Sequence, residues 1–467
     1  MNGSIRMGAL LPHPPLIIPE IGKEDTKLVQ RTILAMQKVC QELALLQPDV
    51  VVLISPHGPM FEDAVTIMDG EQLVGSLNDF RISRSYVIEN DRELAQRIAE
   101  YGSKENTPLF LLQEPMKKKF RIRKELDYGA IIPLHYLQQA GYKGKAVLLS
   151  PGFVPHEMMY QAGMCIRQAI EATGRKAVII ASGDNSHALS ADAPAGFSEE
   201  GQAFDQLLQE AIRSSDWMSL YDLDFGFVEK AAEDTLGSLS LLLGAFDRVR
   251  LAAETVSYEC PFGVGYTIAT FQSTDQSTVS VLAEMRRSRS ERMRLIRQNE
   301  SDFARLARMA IETFVREGRM IQLTTLLPEM ERQAGCFVSI KQNGRLRGCI
   351  GTTKPTTENI ADEIIQNAIA AGTEDDRFYP IEPDELDNLE YSVDVLAPAE
   401  KIEDTRQLDP QKYGLIITDG ERSGLLLPNL EGVDSVEEQI RYTKEKAGIP
   451  EDQHQLTMYR FEVVRYH

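Results

Sequence analysis

The feature that most constrains this chain is a pair of apolar, β-type runs, each followed by a proline and a histidine. Residues 7–11 lead into His13, and residues 49–54 lead into His57. Short aliphatic runs ended by proline or glycine are typical of buried strands that leave a sheet. In an open α/β sheet, ligands bind outside the carboxyl ends of the strands. We therefore expect His13 and His57 to reach neighbouring strand ends and to share one divalent metal ion.

A third histidine and a carboxylate extend this pattern. The strand predicted at 176–181 runs into a turn of small and capping residues that ends in His187. Glu259 lies in the apolar run 256–264, where a buried carboxylate without a metal or a cation would be costly. Side chains alternate between the two faces of a strand, so only one of Glu259 and Cys260 can point at a metal. We expect it to be Glu259.

The chemistry of these groups limits what they could do together. Two imidazoles and one carboxylate, with coordination positions left open, suit non-heme Fe(II) in oxygen chemistry. Zinc accepts the same ligand types. The remaining histidine, His187, could then act as general acid or base, because an imidazole titrates near neutrality. Any single histidine of this kind is as often an ordinary loop residue, but three that each follow a predicted strand end favour a metal site.

Composition limits the compartment and the partners. A chain of 467 residues is long enough for two or three domains, and a formal charge of −20 disfavours nucleic acid as a partner. Five cysteines, widely spaced and without a Cys-x-x-Cys pair, are typical of a reducing compartment. No stretch of the sequence is long and apolar enough to cross a bilayer. We expect a cytoplasmic protein without a nucleic-acid or membrane partner.

The order of the predicted elements divides the chain. Over residues 1–275, strands alternate with helices in βαβ units, which predicts an α/β domain with an open central sheet flanked by helices. The polar stretch 272–278 marks the boundary, and a charged helical connector is predicted over 276–298. Over residues 299–467, hairpins and helices without a βαβ rhythm predict an α+β domain.

Four motifs of the first domain resemble those of the catalytic subunit of class III extradiol ring-cleavage dioxygenases, with which the Memo proteins share their fold. These motifs are Pro12-His13-Pro14-Pro15, Ser55-Pro56-His57-Gly58, Ser182-Gly183-Asp184-Asn185-Ser186-His187 and Tyr258-Glu259-Cys260-Pro261-Phe262-Gly263-Val264-Gly265-Tyr266. The resemblance implies that His13, His57 and Glu259 hold Fe(II). It also implies that His187 is the acid/base of an oxidoreductase that adds O2 to a catechol-like diol.

One motif departs from that family. Where its members have Asp-His-Gly, this chain has Asp127-Tyr128-Gly129. A tyrosine keeps a ring and a polar tip but does not take up a proton near pH 7. We therefore include Tyr128 among the candidate catalytic residues, and we expect the replacement to alter the substrate or the reaction.

Three motifs of the second domain resemble the AMMECR1 domain: Leu346-Arg347-Gly348-Cys349-Ile350-Gly351, Asp375-Asp376-Arg377-Phe378 and Leu425-Leu426-Leu427-Pro428. The resemblance implies a protein of the AmmeMemoRadiSam system, in which such domains are linked with Memo-like and radical-SAM proteins. Its candidate residues are Arg347, Gly348, Cys349 and Gly351. Cys349 could be a nucleophile, since Arg347 would favour the thiolate. The structural alternative, which we favour, is a small strand residue with Arg347 paired to an acid such as Asp376.

Two classes of function follow from these patterns. The leading hypothesis is a metal-dependent oxidoreductase fused to a substrate- or partner-binding domain. The alternative is a scaffold or partner protein of a Memo/radical-SAM system whose metal site is structural or vestigial. The presence of all four groups favours the enzyme, whereas Tyr128 and the fusion favour the scaffold. Zinc-dependent hydrolysis is compatible with the ligands but not with the resemblance.

Overall fold

The computed structural model describes the chain from residue 3 to residue 467, apart from residues 124, 278, 431 and 454. The chain divides into two compact units, Met1–Arg289 and Ser290–His467. Thr278, in the polar stretch predicted as the boundary, lies outside the described residues. Within the described part of the chain, none of the helices combines the length and the apolar character that a membrane span requires.

The first unit is built on one large sheet. Its strands are β1 (Ser4–Leu11), β2 (Val50–Ile54), β3 (Val65–Met68), β4 (Gln72–Ser76), β5 (Ser85–Glu89), β6 (Leu109–Leu112), β7 (Lys145–Ser150), β8 (Lys176–Ser182), β9 (Val249–Glu259) and β10 (Tyr266–Gln276). Among the described residues, eight of them form one sheet in the order β6-β3-β7-β2-β8-β1-β10-β9, and β4 pairs with β5 separately. Strands β7, β2, β8 and β1 are parallel neighbours, whereas β10 is antiparallel to both β1 and β9.

Helices cover both faces of this sheet. They are α1 (Pro19–Gly22), α2 (Gln30–Leu45), α3 (Arg92–Lys104), α4 (Glu114–Lys119), α5 (Tyr128–Gln139), α6 (His156–Thr173), α7 (Glu199–Ser214), α8 (Phe225–Ala231) and α9 (Thr235–Ala245). Val52 and Ile54 of β2 pack in a core with α3, α6 and α9, whereas Val51 and Leu53 pack on the other side with α2 and α5. The aliphatic run of β2 thus serves both cores, because successive side chains of a strand alternate between its faces. The predicted α/β fold is confirmed.

The strand order corrects one expectation about the two histidines. Strand β8 lies between β1 and β2, so His13 and His57 do not follow neighbouring strands. Leu11 at the end of β1 pairs with Ser182, and Ile54 at the end of β2 pairs with Ala181. The three parallel strands therefore end at one edge of the sheet, and the segment after β8 leaves the sheet between the two histidine-bearing loops.

The second unit combines two smaller sheets with helices. Its helices are α10 (Val281–Asn299), which includes residues of both units, α11 (Asp302–Glu317), α12 (Ile360–Thr373) and α13 (Val436–Ala447). Its strands are β11 (Cys336–Gln342), β12 (Arg345–Gly351), β13 (Leu389–Leu396), β14 (Glu400–Ile402), β15 (Gly414–Thr418), β16 (Ser423–Leu426), β17 (Thr457–Phe461) and β18 (Val463–Tyr466). The described residues form sheets in the orders β12-β11-β13-β18 and β14-β17-β15-β16.

The hairpin of β11 and β12 shows why this unit folds as α+β. Asn343 and Gly344 both have positive φ, at 51° and 80°, as a tight two-residue hairpin turn requires. Val338 of β11 and Val393 of β13 point to one face of the sheet, where they pack in a core with α11 and α12. Local hairpins and helices on one face are the α+β pattern, and that prediction is confirmed.

Candidate functional site

His13 lies directly after β1 and is buried, with 1% of its surface exposed. Its Nδ1 lies 3.0 Å from the hydroxyl of Ser182, which donates its hydrogen to the carbonyl oxygen of Gly129 at 2.6 Å. A hydroxyl has one hydrogen to donate, so the Ser182 oxygen is an acceptor towards His13. Nδ1 of His13 therefore carries a hydrogen, and in the neutral ring Nε2 presents a lone pair.

Nε2 of His13 meets two other groups. Nε2 of His57 lies 3.0 Å away. Oδ2 of Asp234 lies 3.4 Å from the His13 nitrogen and 3.2 Å from the His57 nitrogen. In the described part of the chain, these three side chains form the one group of histidines, cysteines and acids able to hold a metal ion. We refer to them as the His-His-Asp cluster.

The spacing of the cluster fits a metal ion. Nitrogen and oxygen ligands lie about 2.0–2.2 Å from zinc, so two ligands of one ion are about 2.8–3.6 Å apart at angles between 90° and tetrahedral. The observed separations of 3.0, 3.2 and 3.4 Å fall in that range. Three electron-pair donors that converge at such distances need a positive charge between them, although only His13 is buried. By donor type and by spacing, these residues therefore fit a divalent metal.

The side chain of Asp234 can face the histidines because its neighbour Glu233 caps the helix that follows. Asp234 precedes α9, where an aspartate normally caps the helix, yet its side chain makes no capping hydrogen bond. Glu233 accepts instead from the N–H groups of Thr235 and Leu236. Oδ1 of Asp234 accepts from the N–H of Asp184 at 2.6 Å, which leaves Oδ2 for the histidines. Two adjacent acids are one more than a cap needs, and this redundancy is the sequence signal that could have identified Asp234.

The cluster attracts positive charge. Burial would lower the pKa of His13, but the carboxylates of Asp184 and Asp234 outweigh it and raise this pKa to about 9. Burial would raise the pKa of Asp234, but His13 and His57 hold it well below its usual range. Burial raises the pKa of Asp184, against the opposing effect of His13. The surroundings thus favour a cation at this place, whether a proton or a metal ion.

Glu259, the carboxylate predicted for this cluster, lies elsewhere. Its Oε1 accepts hydrogen bonds from the N–H and the hydroxyl of Thr32 on α2, at 2.9 and 2.6 Å. Strand β9, which ends at Glu259, is two positions away from β1 in the sheet. At the usual strand spacing, the backbones of β9 and β1 are about 9–10 Å apart. The prediction is therefore corrected, because the carboxylate that meets the two histidines is that of Asp234.

His187 lies beside the cluster rather than in it. The residue is half-buried, and its Nδ1 lies 2.8 Å from the carbonyl oxygen of Ala232. A carbonyl only accepts, so Nδ1 carries the hydrogen and Nε2 of the neutral ring has the lone pair. The charge of His187 acts on Asp184, which also binds the backbone of His13. The acid/base role of His187 stays a prediction.

Tyr128, the first residue of α5, contacts the cluster directly. Its hydroxyl lies 2.8 Å from Nε2 of His57. Its ring stacks on the His57 ring with centroids 4.4 Å apart and an interplanar angle of 28°, and Phe80 packs edge-on against it at 6.1 Å. Burial, reinforced by the nearby carboxylates, raises the pKa of Tyr128 to about 12. The phenol therefore keeps its hydrogen at neutral pH.

The residues on either side of Tyr128 hold the loop of His57 in position. Asp127 caps α5 and also accepts a hydrogen bond from the hydroxyl of Ser55, in the loop after β2. Gly129 is required by close approach, since a Cβ there would lie 2.5 Å from Oγ of Ser55 and 3.3 Å from the ring of His57. The Asp-Tyr-Gly motif therefore ties the start of α5 to the loop that carries His57.

In the second unit, the motif residues are bound into the fold. Arg347 makes a bidentate ion pair with Glu385, at 2.8 and 2.9 Å, rather than with Asp376. Gly348 allows β12 to approach α12, since a Cβ there would lie 2.0 Å from the carbonyl oxygen of Ala371. The pairing of Arg347 with an acid agrees with the structural alternative for this motif.

Cys349 makes its strongest contacts through its backbone. Its N–H donates to Asp375 at 2.9 Å, and its carbonyl oxygen accepts from Arg377 at 3.3 Å. Its Sγ lies 3.2 Å from the hydroxyl of Ser339 on the paired strand. Gly351, two residues further along β12, has no room for a side chain, because a Cβ would lie 2.5 Å from the carbonyl oxygen of Cys336. The first two motifs of the domain therefore meet through hydrogen bonds.

Comparison with known proteins agrees with these two sets of residues. Residues 7–269 match the family described as the catalytic LigB subunit of aromatic ring-opening dioxygenase, and residues 304–466 match the AMMECR1 family. A protein of Clostridium acetobutylicum is 36% identical over 465 residues, which covers 98% of each chain. A protein of Thermotoga maritima is 51% identical over 170 residues, 36% of this chain and 98% of its own. The crystal structure of an uncharacterized protein from Pyrococcus horikoshii is 34% identical and covers 35% of this chain and 88% of its own, with a TM-score of 0.33.

The LigB match extends over more than half of the chain, and the Clostridium relative matches nearly all of it. The predicted combination of domains is confirmed. The chain belongs to the family of the catalytic LigB subunit of aromatic ring-opening dioxygenases, and it carries an AMMECR1 domain in its C-terminal part.

Proposed function

We propose that the first unit is a metal-dependent oxidoreductase that opens the ring of a catechol-like diol with O2. The observation that carries the proposal is the convergence of Nε2 of His13, Nε2 of His57 and Oδ2 of Asp234, with separations of 3.0 to 3.4 Å. Two imidazoles and one carboxylate with open positions are the ligands that suit non-heme Fe(II). We therefore propose Fe(II) as the metal, with zinc as the alternative.

The chain's own residues hold the three donor atoms in place. Ser182 binds Nδ1 of His13 and so directs its Nε2 into the cluster. The N–H of Asp184 binds the outer oxygen of Asp234 and so directs the inner one. Such partners of metal ligands fix both orientation and protonation state. When bound, the metal would supply positions at which a diol and O2 are held together and polarised.

His187 supplies the proton chemistry in this proposal. Its Nδ1 is committed to the carbonyl oxygen of Ala232, so the ring cannot easily change its orientation. Nε2 can then take a proton from a substrate hydroxyl and return it to an oxygen of the product. An imidazole suits both transfers, because one ring nitrogen can accept a proton and later donate it while the other keeps its hydrogen bond.

The substrate that fits this site is a small, uncharged aromatic diol. The charges that act on Tyr128 are those of Asp234, Asp184 and Asp127, which would repel a ligand that carries its own carboxylate. The stacked ring of Tyr128 and the edge of Phe80 offer aromatic contacts. The free state of all five cysteines is consistent with an enzyme that works in the reducing cytoplasm.

A scaffold function is the second candidate, and Tyr128 is the observation that favours it. Its hydroxyl lies against the same nitrogen of His57 that faces the cluster. In a scaffold, that phenol would exclude substrate and the metal would only stabilise the fold. The partners would then be the Memo-like and radical-SAM proteins implied by the sequence motifs.

Metal analysis and oxygen uptake separate these two functions. Protein purified without oxygen should contain about one iron per chain and should consume O2 with uncharged catechols. His13→Ala should lose both iron and oxygen uptake. His135→Gln is the control, because His135 is a buried histidine of the same unit that contacts Tyr86 instead. Stoichiometric zinc without oxygen uptake would support the scaffold and contradict the oxidoreductase.

A further inference from the structure

The hydroxyl of Tyr128 is held against a nitrogen that the proposed metal needs. It lies 2.8 Å from Nε2 of His57, and the same nitrogen lies 3.0 Å from Nε2 of His13 and 3.2 Å from Oδ2 of Asp234. Two packing contacts restrain the ring, which stacks on His57 at 4.4 Å and meets Phe80 edge-on at 6.1 Å. The hydroxyl therefore stays close to the His-His-Asp cluster.

Nε2 of His57 cannot serve the tyrosine and a metal at the same time. A ring nitrogen of a neutral imidazole has either one hydrogen or one lone pair. A metal held there takes the lone pair, so the hydroxyl of Tyr128 loses this hydrogen-bond partner. The hydroxyl lies in the part of the site that is open to solvent. It is then free to donate its hydrogen to an oxygen of a ligand that arrives with the metal.

We propose that Tyr128 is a specificity-determining residue, whose hydroxyl donates a hydrogen bond to an oxygen of the ligand seated on the metal. The inference rests on the proposed function and deepens it, because it names the ligand class as one that presents a hydroxyl or phenolate oxygen next to the metal. A metal ligand without such an oxygen gains no hydrogen bond from the phenol, so the site favours ligands that have one.

The experiment uses the full chain loaded with Zn(II), which accepts the same ligand types and does not undergo redox chemistry. The probe is 4-nitrocatechol, whose visible absorbance changes when it binds a metal. Competition with a coloured chelator gives the Zn(II) affinity. Tyr128→Phe removes the hydroxyl and keeps the stacked ring. Tyr86→Phe is the matched control, because the hydroxyl of Tyr86 also lies 2.8 Å from a histidine nitrogen, Nδ1 of His135, outside the cluster.

We expect Tyr128→Phe to bind Zn(II) as tightly as the wild type or up to about 10-fold more tightly, since a competitor for His57 is gone. The same variant should bind 4-nitrocatechol about 3- to 10-fold more weakly, which is the worth of one hydrogen bond. Tyr86→Phe should change neither affinity.

Two results would overturn the inference. One is equal affinity for 4-nitrocatechol in the wild type and in Tyr128→Phe. The other is weakened Zn(II) binding in Tyr128→Phe, which would make the phenol a part of the metal site itself. A wild-type chain that takes up neither Zn(II) nor Fe(II) is a distinct result, because it removes the proposed function and this inference together.

Discussion

The two units treat their distinctive polar residues in opposite ways. In the first unit, two ring nitrogens and a carboxylate oxygen converge, with separations of 3.0 to 3.4 Å. In the second unit, three arginines form bidentate pairs with carboxylates: Arg347 with Glu385, Arg377 with Asp375, and Arg465 with Asp394. Converging electron pairs require a cation from outside, whereas paired charges are already neutralised within the fold.

This difference separates a ligand-binding site from a structural brace, by which we mean a set of ion pairs and hydrogen bonds that holds neighbouring segments together. Both sets of residues carry specific sequence motifs, yet a motif shows that a residue type recurs and not what it does. The partners of each side chain distinguish the two cases. The His-His-Asp cluster has the geometry of ligands, and the motif around Arg347 ties β12 to the segment that follows α12.

The largest expected effect is the loss of metal binding when the carboxylate of Asp234 is removed. Asp234→Asn removes one ligand of the proposed metal and should weaken metal binding by at least about 100-fold, since changes in the outer partners of ligands already cost about 10- to 100-fold. Glu259→Gln should leave metal binding unchanged, because Glu259 binds Thr32 instead. Chelator competition and elemental analysis of both variants measure this.

The opposite result for this pair would break the comparison. Loss of metal in Glu259→Gln, with retention in Asp234→Asn, would mean that the metal-bound protein rearranges to use the carboxylate predicted from the sequence. Circular dichroism of both variants shows whether the fold is kept.

Arg347→Ala tests the brace in the second unit. The side chains of Arg347 and Glu385 are 16% and 21% exposed, so their pair is largely buried. Removal of one partner from a fully buried pair costs about 3–5 kcal/mol, and partial exposure reduces this to about 2–3 kcal/mol. Hydrogen exchange of peptides from the second unit should show the loss of stability. Trp217, the single tryptophan, lies in the core of the first unit, and its fluorescence should report no change there.

A different outcome for Arg347→Ala would also be informative. If this variant kept its stability but lost oxygen uptake, the arginine would act on a ligand, and the second unit would be a second site. Metal content measured on the same sample separates that case from damage to the first unit.

The parts of the site that follow from sequence are those set by local pattern. Continuous aliphatic runs predict buried strands, and His13 and His57 follow two of them directly. The ends of parallel strands share one edge, so the meeting of the two histidines followed from strand direction alone. The pair Asn343-Gly344 is a local signal of the same kind, since this dipeptide favours the tight turn that joins β11 to β12.

The parts that could not be predicted depend on the order of strands and on competition for caps. Nothing in the residues near His13 shows that β8 separates β1 from β2, or that β9 lies two strands away from β1. Glu259 was chosen because a carboxylate in an apolar run is costly without a metal or a cation, but Thr32 of α2 supplies its polar partner in the structure. Asp234 was overlooked because an acid before a helix is expected to be its cap, a position that Glu233 fills in practice.

A smaller expected effect is the loss of stability of the second unit at low pH. The guanidinium of Arg377 holds the pKa of Asp375 well below its usual range. Such a carboxylate adds stability above its unfolded pKa, about 3.9, and this stability is lost as the pH falls below that value. We expect a loss of about 1 kcal/mol between about pH 5 and pH 3, because Arg377 is 57% exposed and solvent screens the pair.

Asp375→Asn provides the control for this pH dependence. The variant cannot lose a charge on acidification, so hydrogen exchange in its second unit should vary less with pH than in the wild type. An unchanged slope would assign the acid sensitivity to another carboxylate of the second unit.

Cys349→Ser should have the smallest effect of all, although the residue lies at the centre of the most specific motif in its unit. The motif contacts of Cys349 run through its N–H and its carbonyl oxygen, which serine keeps, and a serine hydroxyl can still meet Ser339. We expect a change in stability of less than about 1 kcal/mol, with metal content and oxygen uptake as in the wild type. A large loss of oxygen uptake with intact stability would mean that the sulfur itself reacts, and the second unit could then no longer be described as a brace.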